Sequence, residues 1–416
     1  MSYNGIDKVH LYQLCKDKGE YGIGASSIPK SDVFPTYIRI TDISDNGNLI
    51  TEGLTSVDHS DSSKYYLKEN DIVFARTGAS TGRAFFYEKK YGELVYAGFL
   101  IKFSLDEKKV NPKYLKYYCL SEQYKGWVKA FTGGSTRGNI NAKTFSDMIV
   151  ELPNRKQQDY LVKILSSLDD KIELNNKIIK NLEELAQTLY KRWFVDFEYP
   201  NQDGEPYKSS GGEMVESEFG LIPKEWAIDT IGNLIDCITE ATKPGIHLLG
   251  RRYVPIDTLQ SKKLTFSDYK SFSEANSSLI LFEKMDILIG AMRVYFHKVN
   301  LSFYPGITRT TTFVLRSKSE LEVPFNLLTL NQDSAIDYAN GTSKGSTMPY
   351  AVWQNAFDKY KVINPGFDVK KSFYDLIMPN LELINTYNAQ NAKLERLRDE
   401  LLPKLMNGEI EVPIEG

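Results

Sequence analysis

Residues 157–194 constrain this chain more than any other stretch. Leu161, Leu165, Leu168, Ile172, Asn175, Ile179, Leu182, Ala186, Leu189 and Trp193 recur at alternating steps of four and three, with no Pro or Gly between them. That spacing is the seam of a coiled coil, narrower than the apolar face of an ordinary amphipathic helix. At 1.5 Å per residue the helix is roughly 50 Å long, more than one domain needs to cover its own core. It needs a partner.

A shift of 212 positions, which takes Leu161 to Phe373, supplies one. Phe373, Ile377, Asn380, Ile384, Tyr387, Asn391, Leu394, Arg398, Leu401 and Leu405 keep the four-three spacing. Asn380, Asn391 and Arg398 make this second seam more polar, which costs stability but fixes register and partner. Leu168, Ile172, Ile179, Leu182 and Leu189 are expected to pair with Ile384, Leu394 and Leu401. Two separate amphipathic helices, each packed on its own domain, is the plainer alternative.

The rest of the chain repeats too. Residues 253–257 (Tyr-Val-Pro-Ile-Asp) stand where residues 37–42 stood, residues 284–293 replace 69–78, and residues 345–349 match 134–138. A domain, a helix, a domain and a helix make a tandem duplication. The predicted fold class is α+β: two similar mixed α/β domains, with two long helices pairing as an antiparallel coiled coil about a pseudo-two-fold axis. The expected boundaries are residues 1–153 for the first domain, 154–198 for the central helix, and 199–220 for a Pro/Gly/Ser-rich linker. Residues 221–366 form the second domain and 367–416 the second helix.

Inside the first domain, residues 33–103 read as short strands, among them 37–40, 71–75 and 84–87, and residues 111–127 read as a helix opened by Pro112. Between strands lies Arg76-Thr77-Gly78-Ala79-Ser80-Thr81-Gly82-Arg83. It lacks the Gly-Lys-Ser/Thr ending of a phosphate loop. Small residues flanked by arginines suit close approach to a DNA backbone or base edge, although a β-turn with solvated charges has the same composition. A second stretch of this kind, residues 131–139, carries Ser135, Thr136, Arg137 and Asn139. Candidate DNA contacts are therefore Arg76, Thr77, Ser80, Thr81, Arg83, Ser135, Thr136, Arg137 and Asn139, with Arg293, Arg309, Lys344, Ser346 and Thr347 in the second domain. Their chemistry differs between copies while the scaffold repeats.

Composition excludes several classes. A formal net charge of −3 over 416 residues fits neither a strongly basic nucleic-acid binder nor an acidic DNA mimic, so any DNA contact must be local. Three scattered cysteines (Cys15, Cys119, Cys237) and four scattered histidines offer no metal site or disulfide framework. No apolar run is long enough to cross a bilayer and the N-terminus has no signal-peptide core, so no membrane is expected and the cytoplasm is the expected compartment. Asn364-Pro365-Gly366-Phe367 is close to an adenine-methyltransferase signature, but Gly366 replaces a proline and no glycine-rich methyl-donor loop precedes it. It reads as a domain-exit turn.

Three segments then resemble the specificity subunits of type I restriction-modification systems: residues 152–172 (Leu-Pro through Gln157-Gln158 to Ser167-Leu168-Asp169-Asp170-Lys171-Ile172), 221–226 (Leu-Ile-Pro-Lys-Glu-Trp) and 402–410. Residues 71–78 look like the strand and turn of that family's target recognition domains. The second domain departs at Ala291-Met292-Arg293, where Arg-x-Gly is missing. The resemblance implies a non-catalytic reader of double-stranded DNA. In it each domain would read half of a bipartite asymmetric target, while the helices set the spacer and dock two methyltransferase subunits. Those partners would hold S-adenosylmethionine, this chain would bind no cofactor, and motor-nuclease subunits would complete the restriction enzyme. A coiled-coil adaptor that bridges proteins without reading DNA is the competing reading, and an enzyme with an unrecognised active site is a third.

Overall fold

The computed structural model describes residues 6–132, 138–345 and 347–410. It divides into two compact units, residues 1–170 with 394–416, and residues 171–393. Both long helices are cut by this division, so each unit holds one stretch of each.

In the first unit, strand Asp7–His10 pairs antiparallel with Ile149–Leu152. Chain entry and exit therefore lie side by side, and the exit strand runs directly into the central helix, Arg155–Tyr190. The Leu152-Pro153 motif acquires a physical role here. The Asn154 side chain accepts from Gln157 N at 3.1 Å, capping the helix. Gln158, 2% exposed, accepts from Asn111 N at 2.8 Å and donates to Pro153 O at 2.7 Å. It clasps the neck of the domain to the start of the helix Pro112–Tyr118.

The second unit has the same neck, built with other chemistry. Ala227–Thr230 pairs antiparallel with Lys361–Asn364, and the C-terminal helix Phe367–Met406 follows. Lys370, which is Gln158 shifted by 212, is 4% exposed and donates to Glu322 and to Asn364 Oδ1. Glu322 stands just before the helix Val323–Leu330, the counterpart of Pro112–Tyr118. An amide clasp in one copy is an ion pair in the other.

The sheets repeat as well. A four-stranded sheet in the first unit has Asp71–Ala75 and Leu100–Ser104 at its centre, and one in the second has Ile287–Gly290 and Thr312–Ser317. Each unit has another sheet, three-stranded in the first and four-stranded in the second, that contains one parallel pair, Thr36–Ile38 with Leu94–Tyr96 and Arg252–Tyr253 with Gly306–Arg309. The turn into each central strand is locked alike. Asp71 accepts from Lys68 N at 2.8 Å and Asp286 from Glu283 N at 2.7 Å. Asn70 and Met285, just before them, both sit at left-handed φ, 73° and 71°.

Helix pairing is antiparallel within each unit. In the first, Leu161 and Leu165 share a core with Leu402, and Arg398 donates to Asp169 at 3.2 Å. In the second, Asn175 meets Asn391 at 2.8 Å, Trp193 lies 5.4 Å from Phe373, and Ile179 and Ile384 are buried in one core. Ile172 is 9% exposed, whereas Leu168, Leu182, Leu189, Leu394 and Leu401, expected in the seam itself, are only half-buried, and Leu402 rather than Leu401 enters the core. Asn380 is displaced from the seam, and Leu381, fully buried, takes the inward position.

Three expectations need correction. Residues 111–127 are two helices, Pro112–Tyr118 and Glu122–Thr132, because the chain turns at residues 119–121, where Ser121 Oγ donates to Tyr118 O. The central helix does not end cleanly but in a π-turn, Lys191–Val195, which brings Trp193 and Phe194 together into the core. Residues 199–220 are no free linker. Tyr199 stacks on Tyr207 at 4.7 Å and on Trp226 at 4.9 Å, and Met214–Ser217 pairs with Gly220–Pro223. The turn-rich composition concealed these aromatic anchors.

Candidate nucleic-acid interface

In the first unit, strand Asp71–Ala75 is buried throughout and ends at Arg76. The following turn uses glycine where the backbone needs it. Gly78 and Gly82 lie at φ 77° and 89°, and a Cβ on Gly82 would come within 2.5 Å of Val128. The two Gly/Ser/Thr/Arg stretches, 63 residues apart at Arg76 and Asn139, converge. Thr77 and Asn139 form a β-bridge, Ile140 N donates to Arg76 O at 2.9 Å, and Thr81 Oγ1 donates to Gly138 O at 3.2 Å.

At this junction the Arg76 guanidinium lies 4.9 Å from the Tyr21 ring centre and donates to Asn139 Oδ1 at 3.2 and 3.3 Å. Tyr21 is itself fixed, its hydroxyl accepting from Ala142 N at 3.1 Å. A guanidinium held by ring and amide keeps N–H donors free for a planar acceptor, the arrangement that suits guanine or phosphate. The backbone N–H of Arg76 donates to Phe99 O, and Phe99 stands out into solvent at 59% exposure. Neither Tyr21 nor Phe99 was identified from sequence. Tyr21 lies in a two-residue strand far from the loop in the chain, and an exposed Phe in a short run of strand residues reads as core.

The other first-unit candidates divide. Thr77 and Thr81 are half-buried and Asn139 is exposed. Ser80 is 6% exposed, so its hydroxyl faces the body. Arg83 is committed to Asp45 at 2.7 Å and Ile43 O at 3.0 Å, which braces the loop. Between this loop and the helix Glu122–Thr132 opens a cavity of about 370 Å³ lined by Thr81, Arg83, Tyr124, Lys125, Lys129 and Thr132, among others. Ser135, Thr136 and Arg137 lie outside the described residues.

In the second unit the same junction is rebuilt with no glycine from Ala291 to His297, while Gly345, at φ 90°, turns the segment that meets it. Ala291 N and Met292 N both reach Thr311 O, Arg293 N donates to Pro349 O at 2.8 Å, and Ala351 N donates to Ala291 O at 2.8 Å. Lys344 and Tyr350 exchange two backbone hydrogen bonds at 2.9 Å. Arg293, Arg309, Lys344 and Thr347 are all exposed, and Arg309 lies two residues from the Thr311 carbonyl that holds the loop. Ser346 lies outside the described residues. Among those described, no group of three or more His, Cys, Asp or Glu is placed to hold a metal ion, and no helix is long and apolar enough to cross a membrane.

This duplicated architecture, with a loop junction at matching places in both copies, defines a tandem α+β protein built on paired long helices. Residues 15–184 match the family described as type I restriction modification DNA specificity domain. The specificity subunit of the type I restriction enzyme HindI of Haemophilus influenzae is 23% identical, over 90% of this chain and 94% of that protein. That of the type I restriction enzyme MjaIX of Methanocaldococcus jannaschii is 25% identical, over 73% of this chain and 70% of its own. The crystal structure of a type I restriction-modification system S subunit from M. genitalium shares the fold, with a TM-score of 0.60 at 15% identity over 97% of each chain. The chain is thus similar in sequence to type I restriction enzyme specificity subunits and shares the fold of a solved S subunit.

Proposed function

We propose that each unit reads one half of a bipartite, asymmetric double-stranded DNA target, while the paired helices fix the spacer between halves. Two methyltransferase subunits, carrying S-adenosylmethionine, dock on those helices, and motor-nuclease subunits join them in the full enzyme. The chain itself performs no chemistry.

The observation that carries this reading is the repeated loop junction. The same backbone bridge is made in both units, yet it presents Arg76 and Asn139 in one and Arg293 and Tyr350 in the other. Equal scaffolds with unequal side chains suit two different half-sites. Exposed leucines on the long helices, Leu174 and Leu185 on one and Leu376 and Leu383 on the other, support protein docking there.

The test is to co-express the chain with methyltransferase subunits and map methylated adenines on genomic DNA. A split target with unlike halves and a fixed gap is expected. An assembled complex that methylates without sequence preference would leave the adaptor reading in front.

A further inference from the structure

The turn at residues 293–297 of the second unit is built against its own backbone preferences. Arg293 and His297 bracket it at left-handed φ, 51° and 54°, with no glycine from 291 to 297 to relieve the conformation. Neighbours hold it in place. Arg293 N is tied to Pro349 O, Lys262 N donates to His297 O at 2.8 Å, and the buried His297 ring contacts Asn331 O at 3.0 Å and Asp333 at 3.3 Å.

What this turn displays is apolar. Tyr295 and Phe296 are 48% and 49% exposed, with ring centres 4.9 Å apart. The segment bonded to the turn adds Met348 at 51% and Tyr350 at 49%. Large apolar side chains on a strained, anchored turn are costly in water and need an occupant that covers them. Arg293 stands two residues before Tyr295 and Lys344 is bridged to Tyr350, so the occupant should be apolar where the rings enter and anionic around them. Stacked bases between phosphate strands have that pattern.

We infer that Tyr295 and Phe296 form a wedge that enters duplex DNA at the half-site of the second unit and unstacks a base step there. The inference rests on the DNA-reading function proposed above. Arg293 and Lys344 take the flanking phosphates, and part of the specificity of this half-site comes from how easily its sequence is deformed. The first unit, with Arg76 held between Tyr21 and Asn139, reads by hydrogen bonds at the same junction.

The experiment uses the full chain assembled with its methyltransferase subunits, on a duplex carrying the mapped target with 2-aminopurine replacing each adenine of the second half-site in turn. Fluorescence should rise several-fold on binding at one position other than the methylated adenine, which the methyltransferase takes out of the stack itself. Tyr295→Ala and Phe296→Ala should abolish the rise and weaken binding roughly tenfold, while Phe296→Leu, which keeps apolar bulk, should retain much of it. No rise at any position other than the methylated adenine, by a complex that methylates its target correctly, would overturn the wedge and leave the reading function standing. Alanine variants that lose the methyltransferase subunits but not DNA unstacking would assign the rings to a protein contact and overturn it equally. Absence of any sequence-specific methylation would instead remove the reading function, and the wedge with it.

Discussion

The Asn175 amide donates to Asn391 Oδ1 at 2.8 Å inside the helix pair, and Asn391 in turn donates to Asn176 Oδ1 at 2.8 Å. Asn175 is fully buried, and its own Oδ1 has no hydrogen-bond partner. Such a pair sets register by making every shifted alignment bury an unpaired amide. Asn391→Leu should therefore destabilise by about 1–3 kcal/mol, because it leaves the buried Asn175 amide with only the long contact to Gln390 Oε1 at 3.5 Å. Joint replacement of Asn175 and Asn391 by leucine should recover that loss or exceed it. Thermal melts of the two variants give the comparison, and a double variant less stable than the single one would contradict it.

Asp169 ties the C-terminal helix to the first domain. It accepts from Lys116 at 2.7 Å, Tyr117 at 3.0 Å and Arg398 at 3.2 Å. Burial would raise its pKa, but Lys116 and Arg398 outweigh that and hold the carboxyl below its ordinary value of 3.8. A depressed carboxylate contributes stability that is fully present above 3.8 and lost as pH falls through the lower folded value. Asp169→Ala should cost about 3 kcal/mol near neutral pH, since the Arg398 charge is left buried with only Asp399 beside it. The gap between wild type and variant should narrow in acid, and a pH-independent gap would show that the network is not the cause.

Arg76 is the side chain of the first unit best prepared for a base edge. Arg76→Ala should relax preference at one position of one half-site by about 1–3 kcal/mol. Tyr21→Leu leaves the charge but removes the ring that orients it, so discrimination should fall more than affinity. Methylome mapping with each variant in the assembled complex reads both effects. Unchanged preference at every position of that half-site would exclude Arg76 as a reader.

Gly82 combines a positive φ of 89° with a Cβ position 2.5 Å from Val128 Cγ1. Gly82→Ala should cost about 1–3 kcal/mol. Adding Val128→Ala removes the clash but not the backbone strain, so it should restore only part. Full restoration in the melt would mean that the conformation itself carries no penalty.

Much of this architecture was legible in the sequence because it depends on spacing. The four-three recurrence from Leu161 to Trp193 and its copy from Phe373 to Leu405 required two long helices in contact, and the 212-residue shift required two like domains. Hydrophobic period marks the face of a helix that can be buried, so the two helices and their contact survive without tertiary information. Packing nevertheless chose Leu381 over Asn380 and Leu402 over Leu401 for the inward positions. The convergence of residues 76–83 with 138–140 was not legible, because a β-bridge between Thr77 and Asn139 depends on where two distant loops end. Nor was Tyr21 beneath Arg76, since a ring contact across 55 residues leaves no periodic trace. The folding of residues 199–220 onto Trp226 and the turn of Tyr295 and Phe296 towards solvent were decided in the same way. Local pattern sets which elements form; the direction in which an individual side chain finally points is set by the packing of elements far apart in the chain.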